Sequence, residues 1–235
     1  MPFLREADDV FELYLGTEGV ELDETNPENR FHPDWIVTLN GLLDDVAAAG
    51  ASSKKALVIT ATGKFFTNGL DTDWIFGNAD KLPAYLDSVH AVYTKVLTLP
   101  VPTIAAINGH AFGAGAMLAE CTDYRIMRTE RGFWSLPEAQ LNMPFTRGMA
   151  ALLRTRLRDE TATEAMLTSR RYGADDALAA GIVDEVIDAD ALVERARAVA
   201  AERLPLAGAN LGVIKSGLRQ PLLADLNTPT PASLF

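Results

Sequence analysis

Apolar and polar positions change period along the chain, and the changes mark its elements. Residues 11–15 (FELYL) and 20–22 (VEL) alternate in the manner of strands. A Thr-Glu-Gly turn separates them, and residues 26–29 (NPEN) form a turn cluster. From Pro33 the pattern becomes helical: Trp35, Ile36, Leu39, Leu42, Leu43 and Val46 share one face, which ends near Gly50. Residues 56–60 (ALVIT) are a short, almost wholly apolar run, as expected of a strand covered on both faces. Residues 101–107 repeat it. Between these runs lie a glycine-containing loop over 63–69 and a helix over 82–97 that stops at Leu99-Pro100. A small-residue turn from Gly109 to Gly115 leads into a helix over 114–121, and 124–127 and 132–134 read as strands. Beyond Arg147 the pattern is helical, apart from a strand-like stretch at 182–187. Residues 221–235, rich in proline and threonine, are expected to form an irregular tail. This order predicts α/β layers followed by a C-terminal helical part.

Composition narrows the class. An apolar share of 48% and a charged share of 23% are those of a globular protein, and no apolar stretch is long enough to span a bilayer. The net charge of −11 argues against nucleic acid and anionic membranes as partners, because both need a basic face. It leaves room for an anionic small ligand held by backbone N–H groups and a few local cations. The single cysteine, Cys121, fits a reducing compartment. With no basic-then-apolar leader at the start and no peroxisomal tripeptide at the end, a cytoplasmic location is expected. His32 and His90 have no partner at metal-ligand spacing, so no metal is assigned.

Two loops carry the candidate chemistry. Residues 64–71 (KFFTNGLD) follow the first buried strand, and Gly113-Ala114-Gly115 follows the second. Strand ends of one sheet, each with a glycine-containing bend, can aim backbone N–H groups at a common point. Two such donors form an oxyanion hole for charge developing on a carbonyl oxygen. Small side chains at 113–116 let a ligand reach them. Either loop alone is explained as well by a tight turn. Downstream, Glu138 follows Pro137 in a largely apolar setting that includes Phe133, Trp134, Leu136, Met143 and Phe145. Burial among these residues would raise its pKa toward the range useful for proton transfer.

Taken together, FFTNGLD at 65–71, PTIAAINGHAFGAGAMLA at 102–119, the Pro137-Glu138 step and GIVDEV at 181–186 resemble the crotonase (enoyl-CoA hydratase/isomerase) superfamily. The resemblance spans roughly residues 10 to 220, with the motifs in the family's order. It implies a spiral of ββα repeats over residues 1–172 with a C-terminal helical trimerisation region over 173–235, assembling as a homotrimer or a dimer of trimers. It implies an acyl-CoA thioester as substrate and no cofactor beyond the coenzyme A of that substrate. The oxyanion-hole donors fall on Leu70 and Ala114. Family hydratases use two glutamates; one of those positions is Met117 here and the other is Glu138. Keeping one acid looks like the Δ3,Δ2-enoyl-CoA isomerases, including the plant peroxisomal type, which is similar around residues 135–144. Hydration needs a held and activated water, whereas moving a double bond needs one base that takes a proton from C2 and returns it at C4. The substrate is then expected along Lys64, Phe66, Asn68, Gly69 and Leu70. On the other side it meets Trp74, Gly113, Ala114, Met117 and Phe145.

Other residues have plainer readings. Glu120, one turn beyond Met117, is either a second carboxylate near the site or, more simply, a helix-surface or interface acid. His110 reads as structural, Cys121 as core, and Asp71 or Asp73 as caps of the helix after the first loop. Trp74, Ile75 and Phe76 are acyl-pocket walls or ordinary core. Lys64, Lys215 and Arg219 are candidates for the CoA phosphates, with scattered surface cations as the default. Two functional alternatives stay open: another crotonase-fold hydratase or lyase assisted by Glu120 or a water, and a catalytically silent CoA-ester-binding subunit.

Overall fold

The structure is a computed structural model that describes residues 1–19 and 28–234. The strand expected at 20–22 and the first half of the turn at 26–29 lie outside the described residues. Strands β1 (Phe3–Ala7) and β2 (Val10–Tyr14) form an antiparallel hairpin. It is closed by Asp8 and Asp9, whose φ values of 50° and 67° give the two consecutive left-handed residues that two-residue hairpins favour. Helix α1 (Pro33–Ser52) begins where His32 Nδ1 accepts the Asp34 N–H at 3.2 Å. It buries Trp35, Ile36, Leu39, Leu43 and Val46, the face that its periodicity predicts.

The chain then alternates strands and helices. In order come β3 (Ala56–Thr60), β4 (Phe65–Thr67), α2 (Thr72–Gly77), α3 (Leu82–Thr98), β5 (Thr103–Ile107), β6 (His110–Phe112), α4 (Ala114–Glu120), β7 (Tyr124–Arg128) and β8 (Trp134–Ser135). They are followed by α5 (Arg147–Arg156), α6 (Asp159–Thr168), β9 (Arg171–Tyr172), α7 (Ala174–Ala180), β10 (Glu185–Ile187), α8 (Leu192–Arg203), α9 (Ala209–Leu218) and α10 (Gln220–Leu226). Strands β1-β2-β3-β5-β7-β10 make one sheet, parallel beyond the first hairpin, and β4-β6-β8-β9 make a second.

The apolar runs at β3 and β5 have the predicted cause. Leu57, Ile59, Ala105 and Ile107 face the main core, whereas Val58, Ile104 and Ala106 face a second core closed by Ala196, Val199 and Ala200 of α8. Each Val, Leu or Ile so buried contributes about 1.5–3 kcal/mol. These solvent-free strands give the loops at their ends a fixed base. The irregular tail expected over 221–235 is overturned in its first part: α10 buries Leu222 and Leu226 against α3 and α5, and the described residues after it are irregular apart from a 3-10 turn at Ala232–Leu234. Pro221 sits in its first turn, where a missing N–H costs nothing, so this proline starts a helix.

Candidate active site

Strands β4 and β6 are parallel neighbours in the second sheet, so their C-terminal ends emerge side by side. The chain leaving β4 passes through Asn68, Gly69 and Leu70; the chain leaving β6 turns at Gly113 into α4. At Gly69 a Cβ would stand 2.6 Å from the Phe112 carbonyl oxygen and 3.0 Å from the Ala114 nitrogen. The absence of a side chain therefore lets the two bends touch. Gly113 has φ 51° and ψ −121°, a conformation outside the wells open to L-residues.

Peptide planarity sets the direction of the two candidate donors. Because C=O and N–H of a trans peptide point opposite ways, fixing one aims the other. The Gly69 carbonyl accepts the Phe31 N–H at 2.8 Å, which turns the Leu70 N–H away from Phe31. The Gly113 carbonyl accepts the Met117 N–H at 3.0 Å in the first turn of α4, which turns the Ala114 N–H outward from the helix start. Among the described residues neither the Leu70 nor the Ala114 N–H has an acceptor.

Glu138 closes the site. It lies in a 3-10 turn, Pro137–Ala139, after β8, and the Gly113 N–H donates to the Ser135 carbonyl at 3.0 Å, which ties that segment to the turn. Glu138 Oε1 stands 3.1 Å from where a Gly113 Cβ would be, and Oε2 is buried without a hydrogen-bond partner. Burial pushes the carboxyl up to about 7 from its usual value of 4.5. A carboxylate held near neutrality, beside two outward backbone donors, can take a proton and give it back.

The remaining predicted residues divide. Ala114 and Met117 are buried in the main core at the start of α4, and Leu70, Trp74 and Phe145 pack against that core. Phe66 is wholly buried under the loop. The Asn68 side chain is taken up by Glu28, its Nδ2 donating to Glu28 Oε2 at 2.6 Å. Lys64 is exposed at the opposite end of β4 from Leu70, away from the two bends. Phe76, 85% exposed, is neither pocket wall nor core, while Ile75 belongs to the core. Asp71 caps α2 by accepting the Trp74 N–H at 3.1 Å, as expected. His110 lies among the rings of Phe65, Phe112 and Phe133, which agrees with its structural reading.

Two expectations are corrected. Lys215 and Arg219 are not surface cations for phosphates. Both are buried: Lys215 Nζ bonds the Val101 carbonyl at 2.7 Å and the Asp123 carboxylate, and Arg219 donates to the Leu97 carbonyl at 2.6 Å. Glu120 is not a surface acid either. It is fully buried at the far end of α4, with Arg125 Nε 3.7 Å from its Oε2, and burial pushes it up to about 7. Its charged neighbours are Arg125, Arg156 and Asp184, not Glu138.

Sequence reasoning missed two tyrosines. Tyr93 Oη donates to the Ala114 carbonyl at 2.8 Å, and Tyr85 Oη donates to the Phe31 carbonyl at 2.8 Å while accepting the Asp71 N–H at 3.0 Å. On the apolar face of α3 both read as packing. The available signal is that a buried phenol needs a hydrogen-bond partner.

The chain matches the model of the enoyl-CoA hydratase/isomerase family over residues 18–229, and it belongs to that family. It is 36% identical over 188 residues to the peroxisomal enoyl-CoA delta isomerase 2 of Arabidopsis thaliana, covering 77% of this chain and 75% of that one. Enoyl-CoA delta isomerase 3 of the same plant is 34% identical over 186 residues, with 77% and 74% covered. Among solved structures, a probable enoyl-CoA hydratase from Mycobacterium tuberculosis H37Rv superposes with a TM-score of 0.84 at 23% identity, covering 97% of this chain and 92% of that one. An enoyl-CoA hydratase/isomerase family protein from Pseudomonas syringae gives 0.83 at 26% identity, with 96% and 93% covered. The crotonase fold expected from the motifs is therefore the fold of this chain.

Proposed function

We propose that the protein is a Δ3,Δ2-enoyl-CoA isomerase that shifts a double bond with Glu138 as its one base. The observation that carries this reading is a carboxyl beside the Gly113 turn whose Oε2 is buried without a partner, with a buried thioether, Met117, one helical turn away. Glu138 takes the C2 proton, and the C–H electron pair enters a dienolate whose oxygen rests on the Leu70 and Ala114 N–H groups. The same carboxyl then delivers the proton to C4, which leaves the double bond at C2 and Glu138 ionised again. Met117 offers an apolar surface and a weak acceptor, which disfavours an ordered attacking water. Glu120 faces two arginines at the other end of α4, so the reading of a hydratase assisted by that acid has no geometric support.

Coenzyme A enters only as part of the substrate in this scheme. No helix of the described residues is long and apolar enough to cross a membrane. We place the enzyme in the cytoplasm as a homotrimer or dimer of trimers. The test compares 3-hexenoyl-CoA and crotonyl-CoA side by side in wild type and Glu138→Gln. Wild type is expected to isomerise the first and hydrate the second poorly, with a loss of about a hundredfold to ten-thousandfold in the variant. Near-unchanged turnover in Glu138→Gln would refute the role of this residue. Acyl-CoA binding without turnover of either substrate would favour a silent binding subunit.

A further inference from the structure

The two oxyanion-hole donors lie in different loops, and both loops are tied to one helix. Tyr85 and Tyr93 project from α3, eight residues apart, which is about 12 Å of helical rise. Tyr93 Oη donates to the carbonyl of Ala114, the residue whose N–H points out from the start of α4. Tyr85 Oη accepts the N–H of Asp71, next in the chain to Leu70, and donates to Phe31, whose own N–H holds the Gly69 carbonyl. The Leu70 peptide is thus fixed on both sides. One side is the Phe31 bridge; the other is the Asp71 amide on Tyr85.

We infer that Tyr85 and Tyr93 are positioning residues that set the separation and aim of the two donors, with α3 as the common rule between them. The inference rests on the proposed acyl-CoA reading. Both side chains are buried, at 4% and 0% exposure, and burial pushes both phenols up, so each stays a neutral donor. Their backbone partners are Ala114, Asp71 next to Leu70, and Phe31 bridged to Leu70; the Glu138 charge also reaches the Tyr93 phenol and adds to its upward shift. An oxyanion hole works only when its donors are placed before charge develops, because reorganisation at that moment subtracts from the stabilisation. Loss of either hydroxyl should therefore reduce turnover more than binding.

The test uses the carbonyl stretch of bound hexanoyl-CoA, a saturated thioester that cannot react, read by isotope-edited infrared difference spectroscopy. Wild type should shift the band to lower frequency. Tyr85→Phe and Tyr93→Phe should each recover part of that shift. Each should also lower kcat on 3-hexenoyl-CoA by about fivefold, the size of one neutral hydrogen bond, with KM within about twofold. A merely structural role would lower the Tm and leave the band of the bound thioester where wild type puts it. The two variants are read separately, so one that folds is enough. A wild-type band position in a folded variant overturns the inference for that tyrosine. No shift in wild type overturns the thioester reading itself, and the inference with it.

Discussion

Glu138 carries a conflict between stability and rate. Its carboxyl sits at about 7 because burial penalises the charge, whereas in the unfolded chain it lies near 4.5. Below the lower value it is protonated in both states and costs nothing. Between about 4.5 and 7 the unfolded chain gives up this proton while the folded state keeps it, so stability falls by about 3 kcal/mol across that window and levels off above it. The base form needed for catalysis appears at the upper end of that window, so the rate climbs where the loss of stability is nearly complete. Glu138→Gln should therefore melt above wild type at pH 8.5 and level with it at pH 4, by calorimetry at both values. Glu120 titrates in the same range, also through burial, but faces Arg125 and Arg156. Glu120→Gln should leave the wild-type rise of kcat/KM across pH 7 in place. Loss of that rise in Glu120→Gln would assign the titration to the wrong glutamate.

At the scale of elements, the site is a meeting of two strand ends, and Gly113 is the point where they meet. A methyl group there would stand 3.1 Å from Glu138 Oε1, on a backbone with φ 51° and ψ −121°. Strain of about 1–3 kcal/mol is expected to relax the turn and swing the Ala114 N–H with it. Gly113→Ala should fold with a lowered Tm and lose about a hundredfold in kcat, checked by steady-state assay beside circular dichroism; wild-type turnover would show that this turn does not set the donor. The same elements show what a sequence reveals. β3 and β5 were legible because both faces are covered, which leaves apolar runs. β4, β6 and β9 have two or three residues each, too few for any period to emerge. β1 has an exposed edge and mixed polarity, which left no period to read. Glu138 was legible through its place after Pro137 and the family resemblance. Tyr85 and Tyr93 were not, because their function lies in hydrogen bonds to distant backbone that no local pattern encodes.

Across the whole molecule, α9 is amphipathic in the inverted sense. Its charged side chains, Lys215 and Arg219 at its C-terminal end, turn inward to Asp123, which in turn accepts the Thr103 N–H at 2.9 Å. These cations hold the Asp123 carboxyl below the usual carboxylate range, although burial alone would raise it. Removing one partner of such a buried cluster leaves an uncompensated charge, so the helix is locked in this rotation. The lock drives its apolar face outward: Val213, Ile214 and Leu218 are 69%, 56% and 73% exposed. An isolated apolar side chain at a surface needs no explanation, but three on one short helix, held out by ion pairs behind them, form a face that burial would favour. That is the arrangement expected if assembly with further copies of the chain covers the helix, as the proposed homotrimer requires. Val213→Asp with Leu218→Asp adds charge to this face without touching the Asp123 cluster. Sedimentation equilibrium should give a multiple of three chains for wild type and a smaller mass for the double variant, with circular dichroism unchanged. An unaltered mass in the variant would place the assembly face elsewhere, and a monomeric wild type would remove the need for one.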